Sequence, residues 1–372
     1  MKNTKTVFKI MQSNGFAMAY RTCFRKYCTT DEIYTLSKKK VAHPYQGIHP
    51  WKSKDELAKY LLKNIIYNAG GIVVINKPYG IPVTDTFTND KNLPSMQSHK
   101  IANASNYSIE SVLPYITKEL DVPALIPCSG AEKYMSGTYV FAINDDVVKQ
   151  VMKAKLRATH FNKFTKYWGI TIRLPHEIKG SYRLAMILKK SEYGVKKPIF
   201  MTHWSKNEEK RGDVKIMNVK YKLLSNSTNN LSSLIEIESS ARKWQCIRLF
   251  ASIMLYSPIL GDNYHGSRVQ EIMGTWMKVD PFAESSWDLP KINRQLLELL
   301  ELSPRQQEII PVHLHMRSMN LFSFGKEKKN IVLEAPLIHP FDWTCKQLMF
   351  KNIPCEADHS ESTENEVKIN SM

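Results

Sequence analysis

No stretch of this 372-residue chain holds enough consecutive apolar residues to form a membrane-spanning helix, which needs ~18 or more. The six cysteines, Cys23, Cys28, Cys128, Cys246, Cys345 and Cys355, never form a C-x-x-C pair. That removes the usual zinc and thioredoxin-like signatures. Scattered single thiols read as reduced side chains of a reducing compartment, and Cys128 reads as a small buried residue. Acid is scarce: 35 Asp and Glu against 52 Lys and Arg leave a net charge of +17. A surplus of that size suits a polyanionic partner, RNA or DNA first; a merely basic organelle protein is the alternative. Against these shortages, 43% hydrophobic and 23% charged residues are ordinary for a folded chain. The length allows one large domain or two small ones.

The first acidic residue is Asp31. Before it, Lys2, Lys5, Lys9, Arg21, Arg25 and Lys26 are interleaved with Phe8, Ile10, Met11, Phe16, Met18, Tyr20 and Phe24. A basic, acid-free segment able to form an amphipathic helix predicts a mitochondrial transit peptide and linker over residues 1–40; a basic RNA-binding arm is the alternative. Residues 31–53, with Lys38-Lys39-Lys40 and His43-Pro44-Tyr45-Gln46-Gly47, read as an extended linker. The folded part is expected over 54–353. From Cys355 on, Glu356, Asp358, Glu361, Glu364 and Glu366 predict an acidic disordered tail over 354–372.

Within the folded part, Leu57, Leu61 and Ile65, with Asp55 and Glu56 in the first turn, predict a helix over 54–67. Gly70 to Val83 reads as a turn, a buried strand and a loop stiffened by Pro78 and Pro82. Residues 84–106 are a polar insertion. Ser108 is a predicted N-cap for a helix that Pro114 bends or ends. Ile126 to Ala142 is a polar loop carrying Glu132 and turning at Met135-Ser136-Gly137 into a strand. Val147 to Phe164 predicts a basic helix with Val148, Val151, Met152 and Leu156 on its apolar face. Strands are expected within 180–222, around a loop at 205–213, and over 231–237. A further helix is predicted over 294–302. His313 and His315 share a strand face; packing and hydrogen bonding is the favoured reading, a metal site the other.

Five landmarks, in order from about Gly70 to about Leu337, resemble the RluA-type pseudouridine synthases. Asn76-Lys77-Pro78-Tyr79-Gly80-Ile81-Pro82-Val83 is similar to the family's first motif. Ser129-Gly130-Ala131-Glu132-Lys133-Tyr134-Met135-Ser136-Gly137 takes the frame of His-Arg-Leu-Asp-x-x-Thr-Ser-Gly. The family aspartate falls on Glu132, its arginine on Gly130 and its histidine on Ser129. Tyr167 takes the tyrosine of the Lys-x-Tyr motif, with Thr165 at the lysine and Lys166 adjacent. Ser239 to Ala251, followed by Ser257 to Asp262, resembles the Gly-Arg-x-His-Gln-Ile-Arg-Val-His helix and its Pro-Ile-x-Gly-Asp turn. Arg248 matches the last arginine there, and Arg242 and Lys243 compete for the first. Val312 to Ser318, with Leu333 to Leu337, resembles the closing motif. Within the family the chain looks closest to the mitochondrial mRNA pseudouridine synthase branch, on its degenerate catalytic loop and the turn from Gly261 to Val269.

The resemblance implies an α+β pseudouridine synthase fold: a bent, mostly antiparallel sheet with flanking helices and a central cleft. No S4-type RNA-binding domain is seen before it. It implies uridine-to-pseudouridine isomerisation on mitochondrial mRNA or rRNA in the matrix, without metal or organic cofactor. A carboxylate acts on the ribose of a flipped nucleotide. Glu132 would be that carboxylate, Arg248 its cationic partner and Tyr167 the ring near the base. Lys153, Arg157, Lys163, Lys166, Arg242 and Lys243 would bind RNA. Proteins of the mitochondrial RNA granule or of ribosome assembly are the expected protein partners. Two other readings compete with a working synthase: a catalytically impaired RNA-binding or ribosome-assembly factor, and a purely structural mitoribosome-associated protein. With Glu132 longer than aspartate and the loop arginine and histidine replaced, turnover is expected to be weak or absent on structured RNA and confined to single-stranded targets.

Overall fold

The computed structural model describes residues 42–84 and 101–351. The predicted transit segment 1–40, most of the polar insertion and the acidic tail 354–372 lie outside the described residues.

Helix α1 (Lys54–Lys63) starts where Ser53 Oγ accepts the Glu56 amide at 3.2 Å, and it buries Leu57, Ala58 and Leu61. It stops short of the predicted Tyr67. Ile65 and Ile66 instead open strand β1 (Ile65–Ala69), which pairs antiparallel with β2 (Ile72–Lys77). The cause is the turn between them: Gly70 and Gly71 sit at φ of 64° and 79°, the two left-handed residues a tight hairpin needs. The hairpin recruits β-branched residues that helical spacing alone assigns to the helix.

Among the described residues the main sheet has eleven strands. They are β1, β2, β3 (Ile126–Gly130), β4 (Ser136–Ala142), β5 (Thr165–Thr171), β6 (Lys179–Lys190), β7 (Lys196–Met201), β8 (Lys215–Asn226), β9 (Ser233–Ser239), and two late strands introduced below. A separate hairpin joins β10 (Val269–Ile272) to β11 (Thr275–Lys278). The late strands are β12 (Leu314–Phe324) and β13 (Lys329–Glu334). The order is β1-β2-β4-β12-β5-β9-β8-β6-β7, with β3 on β4 and β13 on β12. Pairing is antiparallel except between β4 and β12, which run parallel through His315 opposite Ser136 and Met316 opposite Gly137. Gly137 makes that contact possible. A Cβ there would lie 2.3 Å from the Met316 carbonyl oxygen, and its φ is 113°. The result is the expected mostly antiparallel mixed sheet with flanking helices.

Helix α2 (Leu113–Glu119) carries Pro114 in its first turn rather than breaking there, because proline in the first turn has no amide to leave unpaired. Ser108 Oγ accepts the Ser111 amide at 3.1 Å just upstream. Helix α3 (Asp145–His160) is capped by Asn144, whose side chain accepts the Val147 amide at 2.9 Å. Its buried face is Val147, Val151, Ala154 and Ala158, while Met152 (53%) and Leu156 (71%) are exposed. The predicted apolar face is therefore rotated. α3 packs closely on β12, and small alanines allow an approach that Met152 and Leu156 would prevent.

The remaining helices are α4 (Lys206–Arg211), α5 (Cys246–Ile253), α6 (Arg294–Leu299) and α7 (Phe341–Gln347). α4 occupies the predicted loop at 205–213; a Ser205–Glu208 capping box starts it and left-handed Gly212 ends it. The linker reading of 31–53 fails at its C-terminal end. Tyr45, Ile48 and Trp51 are buried in the folded core, and the Tyr45 hydroxyl meets Thr344 Oγ1 at 2.8 Å.

Candidate active site

Glu132 sits on the short connection between β3 and β4. The connection is closed by the Ala131 amide on the Thr138 carbonyl (2.9 Å) and the Met135 amide on the Glu132 carbonyl (3.1 Å). The Gly80 amide donates to the Lys133 carbonyl at 2.9 Å, joining this connection to the Pro/Gly loop after β2. That second loop is held from inside. The buried Lys77 ammonium donates to the carbonyls of Pro78 (2.9 Å) and Ile81 (3.1 Å). The Asn-Lys-Pro motif thus shapes the wall beside Glu132.

Burial pushes the Glu132 carboxyl above the ordinary glutamate range. Opposing it are the charge of Arg242, a hydrogen bond from Tyr134, and the charges of Arg248 and Lys77. The expected pairing of Arg248 with Glu132 is not what forms. Arg248 donates to Asp262 Oδ1 in a buried ion pair, donates to Gln245 Oε1 at 3.1 Å, and lies over the Tyr134 ring at 4.6 Å. Asp262 attracts it because the same carboxylate oxygen already accepts the Tyr264 and His265 amides, each at 3.0 Å, and so is fixed in place. Arg242 becomes the leading cation on Glu132; its Nη1 donates to the Gly130 carbonyl.

Between these two arginines the chain takes an uncommon path. Trp244 and Gln245 both adopt left-handed backbone, at φ of 59° and 56°, before α5 begins. Non-glycine residues hold such conformations only when their surroundings impose them. Here the path turns Arg242 and Arg248 toward the same loop.

Tyr167, on β5, is buried in the core; burial, with the nearby Cys246 and Glu132 groups, keeps its phenol protonated against the opposing charge of Arg242. It therefore shares the Glu132 neighbourhood. The other expected contact residues divide. Lys153, Arg157, Lys163 and Lys243 are exposed, Arg157 with Nη1 on the Ser323 carbonyl at 3.0 Å. Lys166 is engaged by Glu238 (3.5 Å) and Glu236 (3.8 Å). Arg242 faces inward.

Sequence reasoning missed Lys77, Tyr134 and Lys155 as members of this site. The Lys155 ammonium donates to Ser129 Oγ at 2.8 Å. Burial holds both Lys77 and Lys155 at about 7, and Glu132 draws each upward. Lys155 was legible in principle, because it lies between Ala154 and Ala158 on the face that packs. Gly130, at the family arginine, has no room for a side chain: a Cβ would lie 2.4 Å from Tyr139 Cα and 2.5 Å from the Thr138 carbonyl oxygen.

His313 Nε2 meets Thr344 Oγ1 at 2.6 Å, and His315 bonds Ser136 Oγ (2.9 Å) and the Ala335 carbonyl (3.1 Å). Both are packed, hydrogen-bonded side chains. The half-buried Cys128 thiol is pushed up to about 11 by burial, which makes it a poor nucleophile.

No family model matches the chain. Pseudouridylate synthase RPUSD4, mitochondrial, of Mus musculus is 27% identical over 308 residues, 80% of this chain and 71% of its own length. Its Homo sapiens counterpart is 27% identical over 307 residues, 78% of this chain and 70% of its own. Mitochondrial mRNA pseudouridine synthase RPUSD3 of Homo sapiens is 22% identical over 317 residues, 82% of each chain. The solved structure of Human RNA Pseudouridylate Synthase Domain Containing 4 superposes with a TM-score of 0.57 at 23% identity, covering 81% of this chain and 98% of that one. Along most of its length the chain is therefore a relative of the mitochondrial pseudouridylate synthases of RluA type, and it is built on their fold.

Proposed function

We propose that this protein is a pseudouridine synthase acting on mitochondrial RNA, with Glu132 as the carboxylate that reacts at the ribose. The observation that carries the reading is one half-buried carboxylate, Glu132, within electrostatic reach of Arg242, Arg248, Lys77 and Lys155 and of the hydroxyls of Tyr134 and Tyr167. Cations keep an ionised form accessible in a site where burial opposes it. The reaction breaks the N1–C1′ bond of uridine and makes a C5–C1′ bond; C5 loses a proton and N1 gains one. No electrons are exchanged with a second reagent. Glu132 either attacks the sugar or removes a proton from it, and both roles need the ionised form.

In this reading Tyr167 lies against the flipped base and Arg248 holds the Asp262 turn and the Tyr134 ring beside it. Lys153, Arg157, Lys163 and Lys243 meet phosphates outside the site, with Arg242 at its edge; Lys166 contributes once RNA competes for it with Glu238. The relatives' names support mitochondrial residence. The matrix is the proposed compartment, and RNA-granule or ribosome-assembly proteins are the proposed neighbours.

The test is pseudouridine mapping of mitochondrial RNA with and without the protein, followed by assay of the purified chain on the RNA so identified. Turnover by wild type that Glu132→Ala abolishes is the expected result. Equal pseudouridine from wild type and Glu132→Ala would overturn it and leave an RNA-binding protein without this chemistry.

A further inference from the structure

The chain just before Glu132, Ser129-Gly130, carries no charged side chain of its own. Gly130 cannot carry one, since even a Cβ would overlap Tyr139 and Thr138. Ser129 is short and neutral. Yet a lysine arrives at this spot from elsewhere in the fold. On α3, Lys149 and Lys153 point to solvent, whereas Lys155 turns inward between the buried Ala154 and Ala158 and donates to Ser129 Oγ at 2.8 Å. The rotation of α3 that exposes Met152 and Leu156 is what turns Lys155 inward.

We propose that Lys155 is a positioning residue for Glu132: it fastens the Ser129 end of the β3–β4 connection and supplies there the positive charge that Gly130 cannot bear. This rests on the reading of Glu132 given above. An ammonium taken out of water onto a neutral hydroxyl is poorly compensated. A structural lysine would be better replaced by an apolar side chain of the same length. What favours the charge here is the field of Glu132, which works on Lys155 against burial and the repulsion of Arg242. The other groups acting on Glu132 are Arg242 and Arg248 from the segment around α5, Lys77 from β2, and the Tyr134 hydroxyl. The phenol of Tyr167 and the thiol of Cys246 also lie in its field, both kept protonated by burial. Lys155 is the member of this set that touches the Glu132 connection from α3.

The proposal predicts that Glu132 ionises less readily without Lys155. Carbon-detected NMR of full-length protein with labelled glutamate carboxyls gives the titration midpoint of Glu132, assigned by its loss in Glu132→Gln. Lys155→Met should raise that midpoint by about half a pH unit or more, the direction expected on removing a nearby opposite charge. Lys155→Arg should restore it, and the solvent-facing control Lys149→Met should leave it alone. In single-turnover assays the acid limb should move with the midpoint. If Lys155→Met does not fold, Ser129→Ala, which removes the hydrogen bond aiming the ammonium, should shift the midpoint the same way by less. An unchanged midpoint in Lys155→Met, or in Ser129→Ala where only that variant folds, would overturn the proposal, as would an equal shift in Lys149→Met. Should wild type and Glu132→Ala show no difference in turnover, the synthase reading falls, while the NMR midpoint still decides whether Lys155 sets the ionisation of Glu132.

Discussion

Arg248 and Asp262, both buried, close an ion pair across fourteen residues of sequence. The pair joins α5 to the turn whose amides, those of Tyr264 and His265, point at the same carboxylate oxygen. Burial works against ionised Asp262, but Arg248 outweighs it and holds the carboxyl below its usual range. Removing one partner leaves the other charge buried and uncompensated. Asp262→Ala or Arg248→Met should each cost about 3–5 kcal/mol of stability, and the double variant less than the sum. The pH sign follows from the depressed value. The stabilisation is complete above the ordinary aspartate value of 3.8 and is lost as pH falls through the lower folded value. Urea denaturation of wild type and Asp262→Asn across acid pH checks both statements.

Glu132 should show the opposite displacement in activity. Its carboxyl is raised by burial above the ordinary glutamate value of 4.5, so turnover that needs the ionised form should rise with pH through a midpoint above that value. Glu132→Asp withdraws the carboxylate by one methylene, about 1.5 Å. In a site built around the longer side chain, a misplacement of ~1 Å should cost about a hundredfold in rate. Single-turnover rates on the mapped RNA across pH measure both effects. A midpoint at or below 4.5 would contradict the first, and undiminished turnover by Glu132→Asp the second.

Restoring the family arginine should harm rather than help. Gly130→Ala already forces a Cβ into Tyr139 and Thr138. Overpacking of that kind costs about 1–3 kcal/mol. Gly130→Arg should be at least as destabilised and gain no turnover. Thermal melts with parallel assays decide this.

RNA binding should separate the exposed cations from the paired one. Replacing Lys153, Arg157 and Lys163 together should weaken binding and flatten its salt dependence, by about one unit of slope for each phosphate no longer neutralised. Lys166→Ala should change the slope less, because Lys166 already has Glu238 and Glu236 within 3.5 and 3.8 Å. Titrations at several salt concentrations provide the comparison, and an unchanged slope in the triple variant would make those residues a solvated helix face.

Targeting should reside upstream of the fold. Tyr45, Ile48 and Trp51 are core residues, so a reporter carrying residues 1–40 should enter mitochondria without them. A cytosolic reporter would refute the transit-peptide reading.

Local order is where the amino-acid sequence is self-sufficient. The buried strand Ile72–Lys77, the Pro/Gly loop after it, the strand Ser136–Ala142 and the helix Asp145–His160 follow from short-range preferences visible in neighbouring residues, whereas the turn expected at Met135-Ser136-Gly137 falls earlier, at Lys133-Tyr134. The spaced motifs are enough to bring out the likeness to the pseudouridylate synthases and to nominate Glu132 and Tyr167 for the proposed site. Tertiary structure alone decides which partner each charge finds. Arg242 reaches Gly130 across 112 positions, Lys155 reaches Ser129 across 26, and Arg248 turns to Asp262 rather than Glu132. It also decides which face of α3 is buried, because hydrophobicity favours Met152 and Leu156 while close packing seats Val147, Val151, Ala154 and Ala158 instead. Charge pairing and close packing depend on distances in space between residues remote in the chain, and no local pattern encodes those distances.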